Sequence, residues 1–239
     1  MEKTVKTMKK RLFIMLGVLM FSAAMQAQPD AGTISVIPRV GVNFANLTNN
    51  EVVVDLANQS KTLKSRVKPG LTVGLDAELQ ATDLLSVSMG LHYSMQGSRY
   101  PDFERSKGDL VEGYSNWHTN LDYLNLPLLL GCRVGGGFSV KAGVQVGMLV
   151  GAKDKKSETE IIPVEVGGRR QGNAVSQSMD LQDNCKKVDI SIPIGVSYEF
   201  EHVIVDARYN LGLTRLYKLD LVKSRNSVIQ LSVGYRLGL

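Results

Sequence analysis

Side chains able to do chemistry are few in this chain, and most occupy alternate positions of short apolar-polar stretches. Arg39, Asp76, Glu78, Lys141, Asp206, Arg208 and Arg236 all fall on the polar parity of such stretches, as do Lys68, Arg133, Asp189 and Glu199. These are six positive and five negative groups, so their charges nearly cancel. Ionised groups removed from water are costly unless paired and hydrogen-bonded, so a mutually neutralising ion network is the simplest chemistry for them. A gated pore or a proton path is the functional alternative.

Catalysis has little to work with. The three histidines are His92, His118 and His202. His92 shares a parity with Ser88, Gly90 and Ser94, which raises the thought of a serine hydrolase. No third group to orient the imidazole is evident from spacing, and a hydrogen-bonded filler is the plainer reading. No His or Cys spacing suits zinc, and nothing implies a cofactor. Cys132 and Cys185 fall at opposite ends of the expected strand layout. That separation is far beyond the roughly 7 Å between Cα atoms that a disulfide tolerates, so two free thiols are expected. Trp117 and Tyr114 lie in a polar connection, where loop packing or interface anchoring is the ordinary role.

The elements that must position these groups are strands. From Asn226 to Leu239 the residues Ile229, Leu231, Val233, Tyr235, Leu237 and Leu239 alternate with Gln230, Ser232, Gly234, Arg236 and Gly238. A period of two denotes a strand with one apolar and one polar face. Seven further segments repeat it: Thr33–Phe44, Val67–Gln80, Leu85–Gln96, Leu121–Val134, Phe138–Val150, Val188–Phe200 and Val203–Thr214. Pro127 and Pro193 interrupt two of them on the polar parity. Proline lacks a ladder donor, so a local bulge is expected at each.

Connections alternate in length. Tight turns are expected near Thr82–Asp83, Gly135–Gly137 and Glu201–His202, whereas the links near 45–66, 97–120, 151–187 and 215–225 are long and polar. The link at 151–187 shows no apolar period and reads as the most mobile part. Such asymmetry belongs to an outer-membrane barrel, with short periplasmic turns and long outer loops. Each segment is about as long as a tilted strand needs to cross an apolar band of roughly 25 Å.

Parity alone leaves the inside and outside open, because a soluble lipocalin-like barrel has the same period. Two features favour the apolar side facing lipid. The polar parity is rich in Gly and Ser, which suits a narrow lumen. Aromatic residues also gather near strand ends, with Phe138, Tyr198, Phe200 and Tyr235 at one level and Phe44, Tyr93 and Tyr217 at the other, as in interfacial girdles. The expected fold is thus all-β: an eight-stranded antiparallel up-and-down transmembrane barrel in a bacterial outer membrane. Outer-membrane lipid is then its first partner.

Residues 1–27 read as a cleaved signal peptide, leaving 28–239 as the barrel domain. Lys3, Lys6, Lys9, Lys10 and Arg11 precede an apolar run from Leu12 to Met20, too short to span a bilayer as a helix. That leader holds five of the 28 basic residues and one of the 23 acidic ones, so the remainder has 23 against 22. The basic overall balance therefore does not imply a nucleic-acid partner.

The segment Tyr123-Leu-Asn-Leu-Pro-Leu-Leu-Leu130 resembles the proline-containing strand of the PorT-like outer-membrane β-barrel family. Lys141-Ala-Gly-Val-Gln-Val-Gly-Met-Leu149, Arg208-Tyr-Asn-Leu-Gly-Leu-Thr214 and Leu231-Ser-Val-Gly-Tyr-Arg236 are similar to further family blocks, in the family's order. The resemblance implies an eight-stranded barrel and, from the name-giving members, an accessory role in type IX secretion. The outer-membrane assembly machinery and secretion-complex proteins are the partners it implies. Leu239 departs from the aromatic final residue usual for assembly. The reading is a non-enzymatic structural or accessory envelope component; a small-solute channel is the alternative, and a lipid-modifying barrel enzyme comes third.

Overall fold

A computed structural model describes residues 30–56, 59–107, 110–164, 168–218 and 223–239. The expected leader at 1–27 lies outside the described residues. Thirteen strands are present among them, all antiparallel to their neighbours. Eight form a closed ring in the order β1 (Ile34–Thr48), β4 (Lys68–Gln80), β5 (Leu85–Arg99), β7 (Leu110–Gly135), β8 (Phe138–Val164), β10 (Val188–Phe200), β11 (Val203–Gly212) and β12 (Arg225–Tyr235). Pairing of β12 with β1 closes it, for example Val233 opposite Val40. Sequential neighbours pair throughout the ring, so the barrel is up-and-down.

Closure satisfies every ladder in the ring and leaves no edge, which is what permits an apolar exterior. Val40, Leu71, Met89, Leu130, Val144, Val196, Val205 and Ile229 all point outward and are exposed. The intervening positions face the bore, where Thr72, Ser88, Gln145, Ser191, Asn210 and Gln230 are buried. A soluble barrel would invert this arrangement.

The three short turns all fall at one end, the short-turn end. Gly135, Gly136 and Gly137 build one of them, with φ of 116°, 57° and 82°, a left-handed run that glycine adopts without penalty. The other end differs from expectation. The connections at 45–66, 97–120 and 151–187 contain strands: β2 (Glu51–Leu56) pairs with β3 (Gln59–Lys64), β6 (Phe103–Lys107) with β7, and β9 (Gly168–Asp180) with β8. Strands β7 and β8 run far beyond the apolar belt and stay paired as far as Val111 and Ile161. The 151–187 link, read as a loop without an apolar period, is instead paired strand over much of its length. Above a membrane both faces of a hairpin can be wet, so its ladder forms without an apolar period.

Two smaller corrections concern strand continuity. Neither proline produces a bulge: the register is unshifted from Met89–Leu128 to His92–Asn125 around Pro127, and from Ser191–Gln145 to Ile194–Ala142 around Pro193. Each buried proline omits its rung, and the ladder resumes in phase. The last segment is split at Arg236 into β12 and the short β13 (Leu237–Gly238), which pairs with β1.

Candidate functional site: a bore bridged at both ends

The charged residues on the inner parity do not merge into one network. They form three groups at separate places on the bore wall.

At the short-turn end, Glu78 on β4 pairs with Lys141 on β8 and with Arg236, whose Nη2 lies 2.8 Å from Glu78 Oε1. Arg236 also donates from Nε to Glu199 Oε1 at 2.5 Å and from Nη2 to Glu199 Oε2 at 2.9 Å. In the ring β4 and β10 stand diametrically opposite, so this ion group crosses the bore. A cavity of only about 10 Å³ remains among Glu78, Lys141, Glu199 and Arg236. Arg133 sits beside them and donates to Gln80 Oε1 at 3.1 Å.

Further in, Arg39 Nε donates to Asp76 Oδ2 at 2.6 Å, and His92 Nε2 meets Asp76 Oδ1 at 2.6 Å. Gly90 makes this possible. A Cβ there would stand 2.0 Å from Asp76 Oδ1 and 2.8 Å from His92 Nε2. Spacing did not reveal the histidine pair, although the hairpin register does: Gln80 opposite Ser86 places Asp76 opposite Gly90, and His92 lies diagonally beyond. Among the described residues no serine hydroxyl bonds to a histidine nitrogen, and no group of three or more His, Cys, Asp or Glu is arranged for a metal ion.

The third group is Asp206 with Arg208 on β11, where Nη2 stands 3.4 Å from Oδ1. That contact is an ion pair without hydrogen-bond geometry, since both Asp206 oxygens lack a hydrogen-bond partner in the protein. Asn210, Gln230 and Ser232 on the same wall also present unpartnered polar atoms. Two adjacent strands, β11 and β12, thus carry a polar seam, and on neighbouring β1 the Nη1 of Arg39 is likewise unpartnered. Lys68 is apart from all three groups: its Nζ donates to Gln96 O at 3.2 Å near the long-loop end.

The long-loop end is closed by different chemistry, which parity did not foresee. Leu47, Leu121, Tyr123, Leu149 and Ala152 face inward and pack with Cys185 and Leu216 in a buried apolar cluster. Strands β1 and β8, which supply Leu47 and Leu149, are diametrically opposite. The backbone bridge between Cys185 and Tyr217, with Lys186 N donating to Leu216 O at 2.7 Å, folds two connections into the mouth. Tyr217 is therefore packed against this cluster rather than standing in an outer girdle. Burial pushes the Cys185 thiol up to about 11. Cys132 is exposed on the outer wall, and the two cysteines are unbridged.

Polar lumen, apolar exterior and one-sided loops are the attributes of a barrel whose solvent is a bilayer. A model of the outer membrane protein beta-barrel domain matches residues 26–218. The chain belongs to this outer-membrane β-barrel family. The short-turn end is thus periplasmic, and the long-loop end faces outward from a bacterial outer membrane. No curated protein matches the sequence. Solved structures similar to it include Ail, the attachment invasion locus protein of Yersinia pestis, at 14% identity over 87% of this chain and 99% of that one, with a TM-score of 0.41. OprG from Pseudomonas aeruginosa is similar at 14% identity over 89% and 99% of the two chains, with a TM-score of 0.39.

Proposed function

We propose that this family member is a non-conducting, non-enzymatic barrel that serves as a structural or accessory component of an envelope assembly. The observation that carries the reading is the double closure of the bore: Glu78–Arg236–Glu199 spans it near the periplasm, and the Leu47–Leu149 cluster spans it at the outer mouth. An eight-stranded interior is only wide enough for side chains to fill. With the bore occupied, the surfaces left for function are the rims, the outer hairpins and the lipid-facing wall. The resemblance of Tyr123–Leu130 to the PorT-like strand supports a type IX-like secretion complex as the assembly, with the assembly machinery engaged earlier through the last strand.

Planar-bilayer recording of the refolded protein tests the closure. The expected trace shows no stable, large single-channel openings; regular openings in the wild type would replace this reading with the small-solute channel. Deletion of the gene, followed by measurement of type IX cargo at the cell surface, tests the secretion assignment. Unchanged cargo export would remove it while leaving the closed barrel intact.

A further inference from the structure

Above the apolar belt, the outward face carries a row of basic residues set directly opposite one another. Arg66 bridges Arg99, Arg99 pairs with His118, and His118 pairs with Lys155. Cross-strand partners display their side chains on the same face, and Arg99 follows Met95 and Tyr93 on the outward parity of β5. Arg66 and Arg99 exchange both backbone hydrogen bonds, at 2.7 and 3.1 Å, which fixes two guanidinium stems side by side. Like charges directly opposite destabilise a sheet. Among the described residues neither guanidinium has a carboxylate partner.

The row borders a groove of about 480 Å³ walled by Arg66, Lys68, Arg99, Tyr100, Trp117 and His118. That volume is within the range of small-ligand sites. Its aromatic side is rigid: the Tyr100 and Trp117 rings lie 4.9 Å apart, and Trp117 Nε1 donates to Asp154 Oδ2 at 2.7 Å. Asp102 is the one carboxylate in the lining, and its Oδ1 accepts from the Asn116 backbone N–H at 3.2 Å. Fixed ring faces suit the apolar face of a sugar, and paired guanidinium forks suit phosphate oxygens. Arg99 stands four residues beyond Met95. At about 3.3 Å per residue and a tilt near 40°, that is on the order of 10 Å above the belt, a saccharide level rather than a hydrocarbon one.

We propose that this groove binds a phosphorylated saccharide presented by an outer-leaflet glycolipid, with Arg66 and Arg99 on the phosphate and the Trp117 ring, backed by Tyr100, against the sugar. The proposal is independent of the closed bore. The test uses full-length protein in nanodiscs, with Trp117, the only tryptophan of the chain, as reporter. The probes are a bis-phosphorylated glucosamine-disaccharide lipid and its dephosphorylated form, each incorporated at rising mole fraction in the nanodisc bilayer, and the soluble bis-phosphorylated disaccharide.

Saturable emission change with the phosphorylated lipid is expected. About tenfold weaker binding is expected for the Arg66→Gln/Arg99→Gln double variant, because hydrogen bonds to charged groups are lost. Lys223→Gln, away from the groove, should bind as wild type. Equal binding of the dephosphorylated lipid, or by the double variant, overturns the site. Displacement of the bilayer-borne lipid by an equal amount of the soluble disaccharide overturns the glycolipid assignment. Should the double variant fail to fold, judged by heat-modifiable gel migration, Arg99→Lys and the wild-type comparison of the two lipids decide in the same terms.

Discussion

Arg236 and Glu78 meet inside the bore with Nη2 and Oε1 2.8 Å apart, although 158 positions separate them in the chain. The contact joins the last strand region to β4, and through Glu199 it reaches the opposite wall. Because Arg236 follows β12 directly, the bridge forms only when the barrel closes. Closure and charge neutralisation are therefore one event.

Replacing Arg236 by Met should leave buried Glu78 with Lys141 as its remaining cation and half-buried Glu199 without this partner. Breaking a buried pair from one side costs about 3–5 kcal/mol. The lower part of that range is expected here, since Lys141 remains and Glu199 borders the rim. Arg236→Lys should be intermediate, because an ammonium cannot fork between two carboxylates. Urea unfolding of the refolded barrels measures both; a wild-type midpoint for Arg236→Met would separate the bridge from stability.

Gly90 supplies the space in which Asp76 reaches His92. A Cβ at 2.0 Å from Asp76 Oδ1 requires the carboxylate to move, so Gly90→Ala should destabilise by about 1–3 kcal/mol, the usual scale of overpacking. The His92 ring resonances should change more than those of His202, which lies at a periplasmic turn. Unaltered His92 resonances would show that the pair tolerates the methyl group.

Leu128 points into lipid near the middle of the apolar belt and is 48% exposed. Leu128→Arg should cost about 2–4 kcal/mol and reduce insertion, whereas Leu128→Phe should assemble normally. Folded yield in liposomes distinguishes them, and equal yields would reverse the assigned face.

The barrel was legible because a single constraint repeats across it. Every strand in hydrocarbon must present an apolar face outward, and that leaves a period of two in the sequence. The hairpin of β8 and β9 escaped the same reading because residues 172–180 are exposed on both faces, and that of β2 and β3 because its apolar side is short, with Val52 and Leu63 packed against Tyr100, Phe103 and Tyr114. Inward apolar residues such as Leu47, Leu121 and Leu149 broke the parity rule for another reason. They face a mouth filled by Cys185 and Leu216, whose approach depends on long connections. Of the ion groups, parity placed Arg39, Asp76, Glu78, Lys141, Asp206, Arg208 and Arg236 on the inner wall, but their division into three groups depends on register around the ring. His92 was recoverable by counting through the Thr82–Asp83 turn; the Arg66–Arg99 bridge was not, since Arg66 lies outside any regular strand.

Cys185 should be nearly inert to maleimide at neutral pH. Its thiol is buried among Leu47, Tyr123 and Leu216 and is pushed up to about 11, so the thiolate is scarce. A raised folded value also means that the native state holds this proton more tightly than the unfolded chain. Its stabilising contribution is present below the ordinary thiol range and is lost as pH rises through about 11. Labelling that tracks urea unfolding is expected; rapid labelling of the folded protein at pH 7 would mean that the outer mouth opens.

Trp117 gives an optical readout of a neighbouring acid. Asp154 accepts from Trp117 Nε1 at 2.7 Å and from Thr119 Oγ1 at 3.0 Å, and both bonds favour the carboxylate. Burial outweighs these bonds and the smaller lowering by the nearby charges of His118 and Lys156, and holds the Asp154 carboxyl above the ordinary 3.8. The folded state therefore binds this proton more strongly than the unfolded chain. Its contribution to stability is present below the ordinary aspartate range and is lost as pH rises through the folded midpoint. Ionisation beside the indole N–H alters emission, so the fluorescence of Trp117 should titrate in one step centred above 3.8. Asp154→Asn keeps an acceptor for the indole and removes the step. A transition that persists in that variant would assign the optical change to another group.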